Sequence, residues 1–554
     1  MAIAPFVIKA YGLKAREFEK ATRNPMEHQK RVLMEIVSRN KFTVYGKEHG
    51  FESIKSVENY RERVGENDYV SLSPYIERLT TGKENILTRD KTVLFGITSG
   101  TTGKPKYLPV TNYSVRKKRE VMDIWTYYIL KDHPGILSGK VLAIVSPEIE
   151  GHTTCGVPFG AESGHAYKNM PNIIKNLYVL PYEVFEISDY DARYYCILRI
   201  ALEANITVIA TLNPSTILLL CQRLDRLKSK IIDEIREGTL AGELNIRYDI
   251  RKAIERMLKP NPERADELEG FLGKKGGRLL PSDLWPKLEI ITCWKGGSVG
   301  SYISHLNDYF DEKVSIRDFG YLSSEARCSI PLADEGHSGV LAVTGNFYEF
   351  LLHDTKDKGK KRYLLADELE ADREYYVILT TYGGLYRYNI DDIIKVTGFF
   401  NRTPVVEFRQ KGSIVSSVTG EKIYERHIDD AVSKAARASG VTLQFFSAFV
   451  EWKECPRYAI IVELINESSA SVLSGFLERI ENELSGINVE YCAKRRSQRL
   501  GPPVLKIVSS GTLDRHRSKK VSGGCHDGQF KLPKLATSAD FHRDFTVIEE
   551  IKIR

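Results

Sequence analysis

The sequence predicts an α/β protein with a large N-terminal domain and a small α+β C-terminal domain. Three observations support this prediction. Up to residue 292, short apolar runs alternate with amphipathic helices, as they do in layered α/β folds. Between residues 339 and 408 the pattern changes to β-type segments separated by glycine and charged turns. Beyond residue 411 a helix, two strands and a second helix follow, enough for a separate compact unit.

The N-terminal region contains four short apolar segments that we predict to be buried strands: 92–95, 141–145, 207–210 and 288–292. Its clearest helix lies at 213–238, where leucine and isoleucine form one apolar stripe at helical spacing. That stripe contains Leu220, Leu224, Leu227, Ile231 and Ile235. Asn213 suits the N-cap, Pro214 suits the first helical position and Gly238 suits the end. Strands and helices therefore alternate along this region.

A second helix is predicted at 114–130, with Met122, Trp125 and Ile129 on one side. The C-terminal unit is predicted to contain a helix at 425–438, strands at 445–452 and 458–464, and a helix at 471–484. We place the boundary near residues 410–412. The expected domains are residues 1–410 and residues 411–554.

Composition excludes several classes of function. The net charge is +7, from 80 basic and 73 acidic residues among 554, and so small an excess predicts no binding to nucleic acid or to a membrane surface. Eight cysteines are scattered without C-x-x-C pairs or zinc spacing. No segment has the length and apolar character of a membrane span or a signal peptide. We therefore expect a cytoplasmic protein, and a monomer.

The stretch 95-FGITSGTTGKPKYLPVT-111 resembles a phosphate-binding loop. The P-loop of kinases requires G-x-x-x-x-G-K followed by Ser or Thr, but Thr98 takes the first glycine position and Pro105 the hydroxyl position. A plain turn after a strand is an alternative. However, six of the eight residues from Thr98 to Pro105 are Gly, Ser or Thr, and Lys104 and Lys106 close the run. Small residues, hydroxyls and lysine charge favour a polyphosphate loop.

Two further segments place carboxylates after β-type runs. In 319-FGYLSSEARCSIP-331, Glu325 can bind Mg²⁺, because hard cations take oxygen ligands. The alternative is a helix N-terminus, with Ser323 or Ser324 as the cap. In 384-GLYRYNIDDIIKVTGF-399, the Asp391–Asp392 pair can accept ribose hydroxyls, or it can mark an Asp-rich turn between strands.

A fourth segment, 511-GTLDRHRSKKVSGGCHDGQFKLPKLA-536, is a glycine-rich loop that ends in Lys531 and Lys534. Lysines in such loops are ordinarily solvated. The order and spacing of all four segments carry more information than any one of them. ITSGTTGKPK, FGYLSSE, YRYNIDD and QFKLPK resemble the successive motifs of the adenylate-forming superfamily. Over almost the whole chain, they most resemble the acyl acid amido synthetases, the auxin-responsive Gretchen Hagen family.

The resemblance implies a role for each matching residue. The ATP phosphates would be held by Ser99, Gly100, Thr101, Thr102, Gly103 and Lys106. Glu325 would bind Mg²⁺, with Ser324 in the same nucleotide site, and Asp392 would bind the ribose. The adenine slot would be formed by Gly296, Gly297 and Tyr321. Lys531 would support adenylation from a mobile C-terminal domain, and Lys411 would lie near its hinge.

The function implied is an ATP- and Mg²⁺-dependent ligase that adenylates a carboxylic acid and transfers the acyl group to the amine of an amino acid. Two alternatives stay open. The T-T-G-K-P-K form of the loop is common in acyl-CoA synthetases, which use a thiol acceptor such as coenzyme A or a carrier protein. The second alternative is a nucleotide-binding protein that catalyses no reaction. The presence of Glu325, Asp392 and Lys531 together argues against it.

The acid and the amine cannot be named from the motifs. The resemblance implies an acyl pocket among the helix at 114–130, the loop 146–171 and the residues after Glu325. His152 and His165 in that loop can orient substrate or act as bases, or they can be structural. Lys534 also departs from the family pattern, which typically has arginine at this position.

Overall fold

The computed structural model describes most of the chain: residues 4–98, 106–274, 278–296, 300, 302–353, 361–412, 415–416, 421, 423–451, 456–496, 500–522, 531–536 and 541–553. The chain divides into two compact units, Met1–Phe408 and Arg409–Arg554. None of the described helices combines the length and apolar character that a membrane crossing requires.

The helices of the first unit are α1 (Ala4–Arg23), α2 (Pro25–Asn40), α3 (Val44–Glu48), α4 (Val57–Arg63), α5 (Tyr69–Thr80), α6 (Asn112–Asp132), α7 (Glu162–Lys168), α8 (Asn172–Lys175), α9 (Tyr190–Ala201), α10 (Pro214–Glu237), α11 (Tyr248–Glu255), α12 (Pro262–Lys274), α13 (Pro281–Leu284) and α14 (Ile303–Leu306). Its strands are β1 (Thr92–Thr98), β2 (Lys106–Thr111), β3 (Lys140–Ala143), β4 (Gly151–His152), β5 (Pro158–Gly160), β6 (Ile206–Ala210), β7 (Ile290–Thr292), β8 (Ser315–Arg317), β9 (Ser329–Ile330), β10 (Gly339–Leu341), β11 (Phe347–Leu352), β12 (Glu374–Thr380), β13 (Tyr388–Phe400) and β14 (Thr403–Lys411).

The two helices predicted in this unit are confirmed as α6 and α10. At the start of α6, the Thr111 hydroxyl accepts a hydrogen bond from the Ser114 backbone N–H. The Ser114 hydroxyl in turn accepts from the Thr111 backbone N–H, which completes a capping box. Pro214 begins α10, and Gly238 follows its last residue with φ 71°, a left-handed conformation that favours glycine. The four predicted strands correspond to β1, β3, β6 and β7.

The described strands of the first unit form three sheets. The parallel sheet has the order β3-β6-β7-β8, and its core includes apolar residues of α9 and α10. A four-stranded sheet has the order β2-β1-β5-β4, and a six-stranded sheet has the order β11-β12-β13-β14-β10-β9. The six-stranded sheet is the β-rich region predicted from residue 339 onward, and its core is shared with α2 and α6.

The second unit contains α15 (Glu425–Ser439), α16 (Ala470–Ile487), α17 (Val489–Arg496) and α18 (Thr512–Ser522). Its strands are β15 (Val415–Ser416), β16 (Ile423–Tyr424), β17 (Leu443–Glu451), β18 (Arg457–Leu464), β19 (Val504–Val508), β20 (Leu535–Ala536) and β21 (Val547–Lys552). Five of them form a sheet in the order β20-β17-β18-β19-β21. Alternate residues of β17 and β18 face two separate apolar clusters, one of which includes residues of α15 and α16. The predicted helix, two strands and helix are confirmed.

Candidate active site

The predicted phosphate loop connects two antiparallel strands. Thr98 at the end of β1 pairs with Lys106 at the start of β2. The Lys106 ammonium lies 5.4 Å from the centre of the Tyr69 ring, and the Tyr69 hydroxyl accepts a hydrogen bond of 2.9 Å from the Tyr107 backbone N–H. A Walker loop leads from a strand into a helix, so this connection agrees with the exclusion of a P-loop. Of the loop itself, Ser99, Gly100, Thr101, Thr102 and Gly103 lie outside the described residues.

Residues 321–330 form a tight turn between two short extended segments. Leu322 and Arg327 form an antiparallel bridge, and the Ser323 backbone N–H donates to the Ala326 carbonyl at 2.9 Å. This turn brings Ser324 and Glu325 to its tip, where both are partly exposed. The alternative of a helix N-terminus is wrong, because the Ser323 hydroxyl caps a turn by accepting from the Ala326 N–H at 3.2 Å.

The aspartate pair lies in a β-bulge of β13. Residues 390–392 oppose the single residue Val377 of β12, and regular pairing resumes on either side. Asp391 has φ 58°, and its backbone N–H donates to the Asn389 side chain at 2.8 Å. The alternative of a turn between strands is therefore wrong. A bulge re-aims the side chains that follow it, and here it makes neighbouring aspartates differ in environment.

Asp392 is the buried member of the pair, with 3% of its surface exposed. The Tyr321 hydroxyl donates to its Oδ2 at 2.7 Å, and the Tyr321 ring stacks on Phe408 with 5.8 Å between ring centres. Burial, and next the negative charge of Asp392, raise the pKa of Tyr321 well above its usual value. Two residues that the sequence assigns to the nucleotide site are thus in direct contact.

Glu325 acts electrostatically on the same group of residues. Its charge adds to the effects that raise the pKa of Tyr321. For Tyr388, the first residue of β13, burial raises the pKa most and the charge of Glu325 comes next. Tyr321 and Glu325 belong to the same turn, and Tyr321 contacts Asp392 in the bulge, so the three predicted residues lie in one region of the structure.

The loops after β7 and β8 are tied together by Asp318. One carboxylate oxygen of Asp318 accepts from the Lys295 backbone N–H and the other from the Gly320 backbone N–H, both at 2.5 Å. Burial raises the pKa of Asp318, although both backbone bonds oppose this. Gly296 and Tyr321 therefore lie on two joined loops at the carboxyl edge of a parallel sheet, where α/β proteins commonly bind nucleotides.

Gly296 is packed closely within this arrangement. A Cβ atom at this position would lie 2.6 Å from Cδ2 of His337, whose ring forms an ion pair of 3.0 Å with Glu407 when protonated. The site accepts glycine for steric reasons, which is compatible with a slot for a flat ring. Gly297, the second predicted glycine, lies outside the described residues.

A pocket lies beside Glu325. Its lining residues come from β2, the start of α6, the 321–330 turn and two further loops: Leu108, Pro109, Val110, Ser114, Lys117, Lys118, Ser324, Glu325, Gly345, Asn346, Thr381, Tyr382, Gly383 and Leu385. The Lys118 ammonium donates to Glu162 at 2.5 Å and to the Ser324 carbonyl at 3.0 Å. These contacts join α6, α7 and the turn, and so place a lysine next to Glu325.

The histidines of the loop 146–171 differ in environment. His165 Nδ1 lies 2.7 Å from Glu148 Oε1, and Lys168 pairs with the other Glu148 oxygen at 2.9 Å. These contacts favour the structural alternative for His165. His152, in β4, is exposed.

In the second unit, the two motif lysines occupy opposite environments. Lys531 is exposed, as expected for a loop lysine. The alternative of an ordinary solvated lysine does not hold for Lys534, because only 4% of its surface is exposed. Lys411 is the last residue of β14, and its side chain is outside what the structure describes.

Three sequence models of one family match successive parts of the chain. The GH3 family N-terminal domain matches residues 14–315, the GH3 family central domain matches residues 339–411, and the GH3 family C-terminal domain matches residues 426–540. Together these ranges include most of the sequence. The chain belongs to the GH3 family.

Curated relatives of this GH3 protein match it almost from end to end. The jasmonoyl–L-amino acid synthetase GH3.5 of Oryza sativa subsp. japonica is 26% identical over 555 residues, with 95% of this chain and 94% of the relative covered. The indole-3-acetic acid-amido synthetase GH3.3 of Arabidopsis thaliana is 24% identical over 554 residues, covering 95% of this chain and 92% of the relative. The relatives' names agree with the ligase that the sequence predicts.

Solved structures of another GH3 protein have the same fold. The GH3.15 acyl acid amido synthetase superposes with a TM-score of 0.85 at 23% identity, covering 97% of this chain and 96% of the other. The AtGH3.15 acyl acid amido synthetase in complex with 2,4-DB gives a TM-score of 0.87 at 22% identity, covering 99% and 97%. The predicted fold class is confirmed.

Sequence reasoning missed a partly buried polar network near the pocket of this GH3 protein. Glu35 of α2 accepts hydrogen bonds from the hydroxyls of Tyr113 and of Tyr382, the latter at 2.8 Å, and pairs with Lys117 at 3.3 Å. Burial would raise the pKa of Glu35, but these donors outweigh it and the pKa is lowered. Glu35, Lys118 and Glu162 lie outside the four sequence motifs. Only the long-range contacts of the fold show that they are near the pocket.

Proposed function

We propose that this protein is an ATP- and Mg²⁺-dependent acid–amino acid ligase that forms an acyl-AMP and transfers the acyl group to an amine. The observation that carries the proposal is the meeting of Tyr321, Asp392 and Glu325 at one site in a GH3 chain. The names of the relatives, indole-3-acetic acid-amido and jasmonoyl–amino acid synthetases, support the same reaction class.

The donor set fits Mg²⁺ held mainly by ATP. Glu325 lies at the tip of its turn and is partly exposed, and no described residue forms an ion pair with it. Over the described part of the chain, no group of three or more His, Cys, Asp or Glu side chains is placed to hold a metal. One carboxylate suits Mg²⁺, which takes its other ligands from phosphates and water. Bound there, the ion would neutralise charge on the phosphates.

In the first step, a carboxylate oxygen of the acid attacks the α-phosphorus of ATP. A new P–O bond forms as the bond to the β-phosphate oxygen breaks, and pyrophosphate leaves with its electron pair. Asp392 would hold the ribose hydroxyls, and Gly296 with Tyr321 would border the adenine. Lys106 and the loop 99–105 would contact the phosphates. Donors directed at the phosphates would stabilise the charge that develops in the transition state.

In the second step, a neutral amine attacks the acyl carbon of acyl-AMP. The amine nitrogen forms the amide bond and loses a proton, and AMP leaves with the electrons of the C–O bond. Adenylation makes this attack feasible, because it removes the negative charge of the carboxylate and supplies a good leaving group. We assign Lys531 to the first step and a hinge near Lys411 to the change between steps.

The pocket beside Glu325 supports binding of the acid there. Lys118 contributes a positive charge near the reacting carboxylate, while Leu108, Val110 and Leu385 contribute apolar surface. An acid held between them would have its carboxylate close to the Mg²⁺ residue Glu325.

The experiment that tests the proposal is carboxylate-dependent ATP–pyrophosphate exchange, screened over fatty, aromatic and hydroxy acids. We expect exchange with at least one acid, loss of exchange in Lys531→Ala, and retention in Lys519→Ala. Lys519 is the matched control, because it is an exposed lysine of the same unit that pairs with Asp544. ATP binding without pyrophosphate release under any acid would indicate a nucleotide-binding protein instead.

The acceptor is tested separately. Coenzyme A and mixed amino acids are offered together with an active acid, and the products are identified by mass spectrometry. We expect an amide and AMP. Exclusive formation of a thioester would favour the acyl-CoA synthetase alternative.

We further propose a monomer in the cytoplasm that binds neither nucleic acid nor membrane. The small net charge supports the proposal that the protein binds neither nucleic acid nor a membrane surface. The thiols of Cys155, Cys196, Cys221, Cys293, Cys328 and Cys492 are all free, which suits a reducing compartment.

A further inference from the structure

The motif QFKLPK ends in two lysines whose environments in the second unit differ. Lys531 is exposed, whereas Lys534, three residues later, is 4% exposed. A long cationic side chain is rarely buried unless its charge is compensated. The surroundings of Lys534 therefore indicate what it does.

The Lys534 side chain lies between an aromatic ring and a carboxylate of α15. Its ammonium is 3.7 Å from the centre of the Phe446 ring and 3.9 Å from Asp429 Oδ1. Its backbone N–H donates to Glu425 Oε1 at 2.5 Å. Burial lowers the pKa of Lys534, and the charges of Asp429 and Glu425 oppose this. Both the backbone and the side chain of this lysine are thus attached to one helix.

The residues around Lys534 are also attached to the sheet. The Pro533 carbonyl accepts from the Ser447 hydroxyl at 2.6 Å, and the Lys534 carbonyl accepts from the Ala448 backbone N–H at 2.8 Å. Leu535 then pairs with Ala448 in the parallel ladder between β20 and β17. Three consecutive residues are therefore held, while Lys531 shortly precedes them in the chain.

The contacts of Pro533, Lys534 and Leu535 restrict the position of the Lys531 backbone. Three residues of extended chain span about 10 Å at most, so the Lys531 backbone stays close to α15. The charge of Lys531 acts on Glu425, where it opposes the rise in pKa that burial causes. A buried ion pair adds little stability compared with well-packed apolar residues. The Lys534–Asp429 pair is therefore better explained by the position that it fixes than by the stability that it adds.

We propose that Lys534 is a positioning residue that, with Asp429 and Glu425, anchors the segment 531–536 and thereby places Lys531 for adenylation. This inference rests on the proposed function, in which Lys531 serves the first step. It also accounts for the departure at this position, because a lysine can form the same buried cationic contact as the arginine typical of the family.

The test compares Lys534→Met, which keeps the length but removes the charge, with Lys534→Arg, which keeps the charge. A small displacement of a catalytic group costs on the order of 100-fold in rate. We expect Lys534→Met to lower kcat for ATP–pyrophosphate exchange by about 10- to 100-fold with an unchanged KM for ATP. Aminolysis of preformed acyl-AMP should keep its rate, and Lys534→Arg should restore most of the exchange.

A double variant separates position from folding. In Lys534→Met/Asp429→Asn both charges of the ion pair are absent, and Glu425 still accepts from the backbone N–H of residue 534, which the substitution keeps. We expect the double variant to unfold near the wild-type temperature and still to exchange slowly. Recovery of the wild-type rate in the double variant would overturn the proposal, as would an equal loss in both half-reactions of Lys534→Met.

The two proposals fail in different ways. Absence of exchange in the wild-type protein with every acid would count against the proposed function. Exchange that is lost in Lys531→Ala but fully retained in Lys534→Met would leave the proposed function intact and reject the positioning role alone.

Discussion

Asp391 and Asp392 are adjacent and chemically identical, yet only Asp392 is buried against Tyr321. The bulge of β13 separates them, because Asp391 takes up the left-handed conformation at φ 58°. Asparagine tolerates that conformation better than most residues. The pair therefore offers a comparison in which the same substitution, at neighbouring positions, tests a single contact.

We predict that Asp392→Asn raises the KM for ATP about tenfold, because it removes the charged acceptor for the ribose hydroxyls. Asp391→Asn should change the KM by about twofold or less. Both values come from ATP–pyrophosphate exchange at saturating acid. Equal KM values for the two variants would contradict the assignment of Asp392 to the ribose.

Glu325 is the other carboxylate of the site. We predict that Glu325→Gln lowers kcat for exchange by about 100-fold, since a Mg²⁺ ligand supports several kcal/mol of charge stabilisation. It should also raise the Mg²⁺ concentration needed for half-maximal rate. The measurement is exchange over a series of Mg²⁺ concentrations, with the exposed Glu312→Gln as control. An unchanged Mg²⁺ dependence would rule out Glu325 as a ligand.

At the scale of elements, the joined loops after β7 and β8 depend on a small residue at Gly296. We predict that Gly296→Ala destabilises the protein by about 1–3 kcal/mol and raises the KM for ATP. The added methyl group would lie 2.6 Å from Cδ2 of His337, so the His337 ring or the loop must shift. Thermal unfolding and ATP kinetics measure the two effects.

Gly270 of α12 provides the control for this prediction, because a Cβ there has no neighbour within 4 Å. Gly270→Ala should leave the KM unchanged and stabilise the protein by up to about 1 kcal/mol, since alanine favours helix. An unchanged KM for ATP in the Gly296→Ala variant would contradict the assignment of Gly296 to the adenine slot.

Elements with local end signals could be predicted from the sequence, and long-range contacts could not. Pro214 and Gly238 enclose α10 to within one residue of the prediction, because capping depends on nearby backbone groups. The turn at Glu325 and the bulge at Asp392 depend on pairing with distant strands. For both segments the motif order identified the residues, and only the fold could show their conformation.

The same reasoning explains what sequence reasoning missed at the site. Lys118 and Glu162 are 44 residues apart and meet only when α6 and α7 pack together. Lysines in glycine-rich loops are ordinarily solvated, yet residues of α15 and β17 lie against Lys534 and bury it. Burial of this kind has no periodic signal in the sequence.

On the scale of the whole molecule, the second unit has its own cores and its own electrostatic support. Glu451, at the end of β17, pairs with Lys506 at 2.5 Å and Arg457 at 2.7 Å. Burial would raise the pKa of Glu451, but both cations outweigh it and lower the pKa to about 2. This ion pair cluster joins β17, β18 and β19.

We predict that Glu451→Gln destabilises the protein by about 2 kcal/mol at pH 7. The folded pKa is below the unfolded value of 4.5, so the stabilisation is present above pH 4.5 and is lost as the pH falls towards 2. The difference between wild type and variant should shrink by about half between pH 5 and pH 3. Urea unfolding at several pH values measures it, and a difference independent of pH would contradict the pKa shift.

The connection between Thr98 and Lys106 has a consequence for protein engineering. Because the two residues are paired neighbours in an antiparallel ladder, the seven residues between them begin and end at the same edge of one hairpin. Such a segment can be replaced as a unit without changing the pairing of the strands on either side. Replacing 99–105 with the corresponding segment of another GH3 protein should leave the register of β1 and β2 intact, so that the proposed phosphate contacts can be varied separately from the pocket beside Glu325.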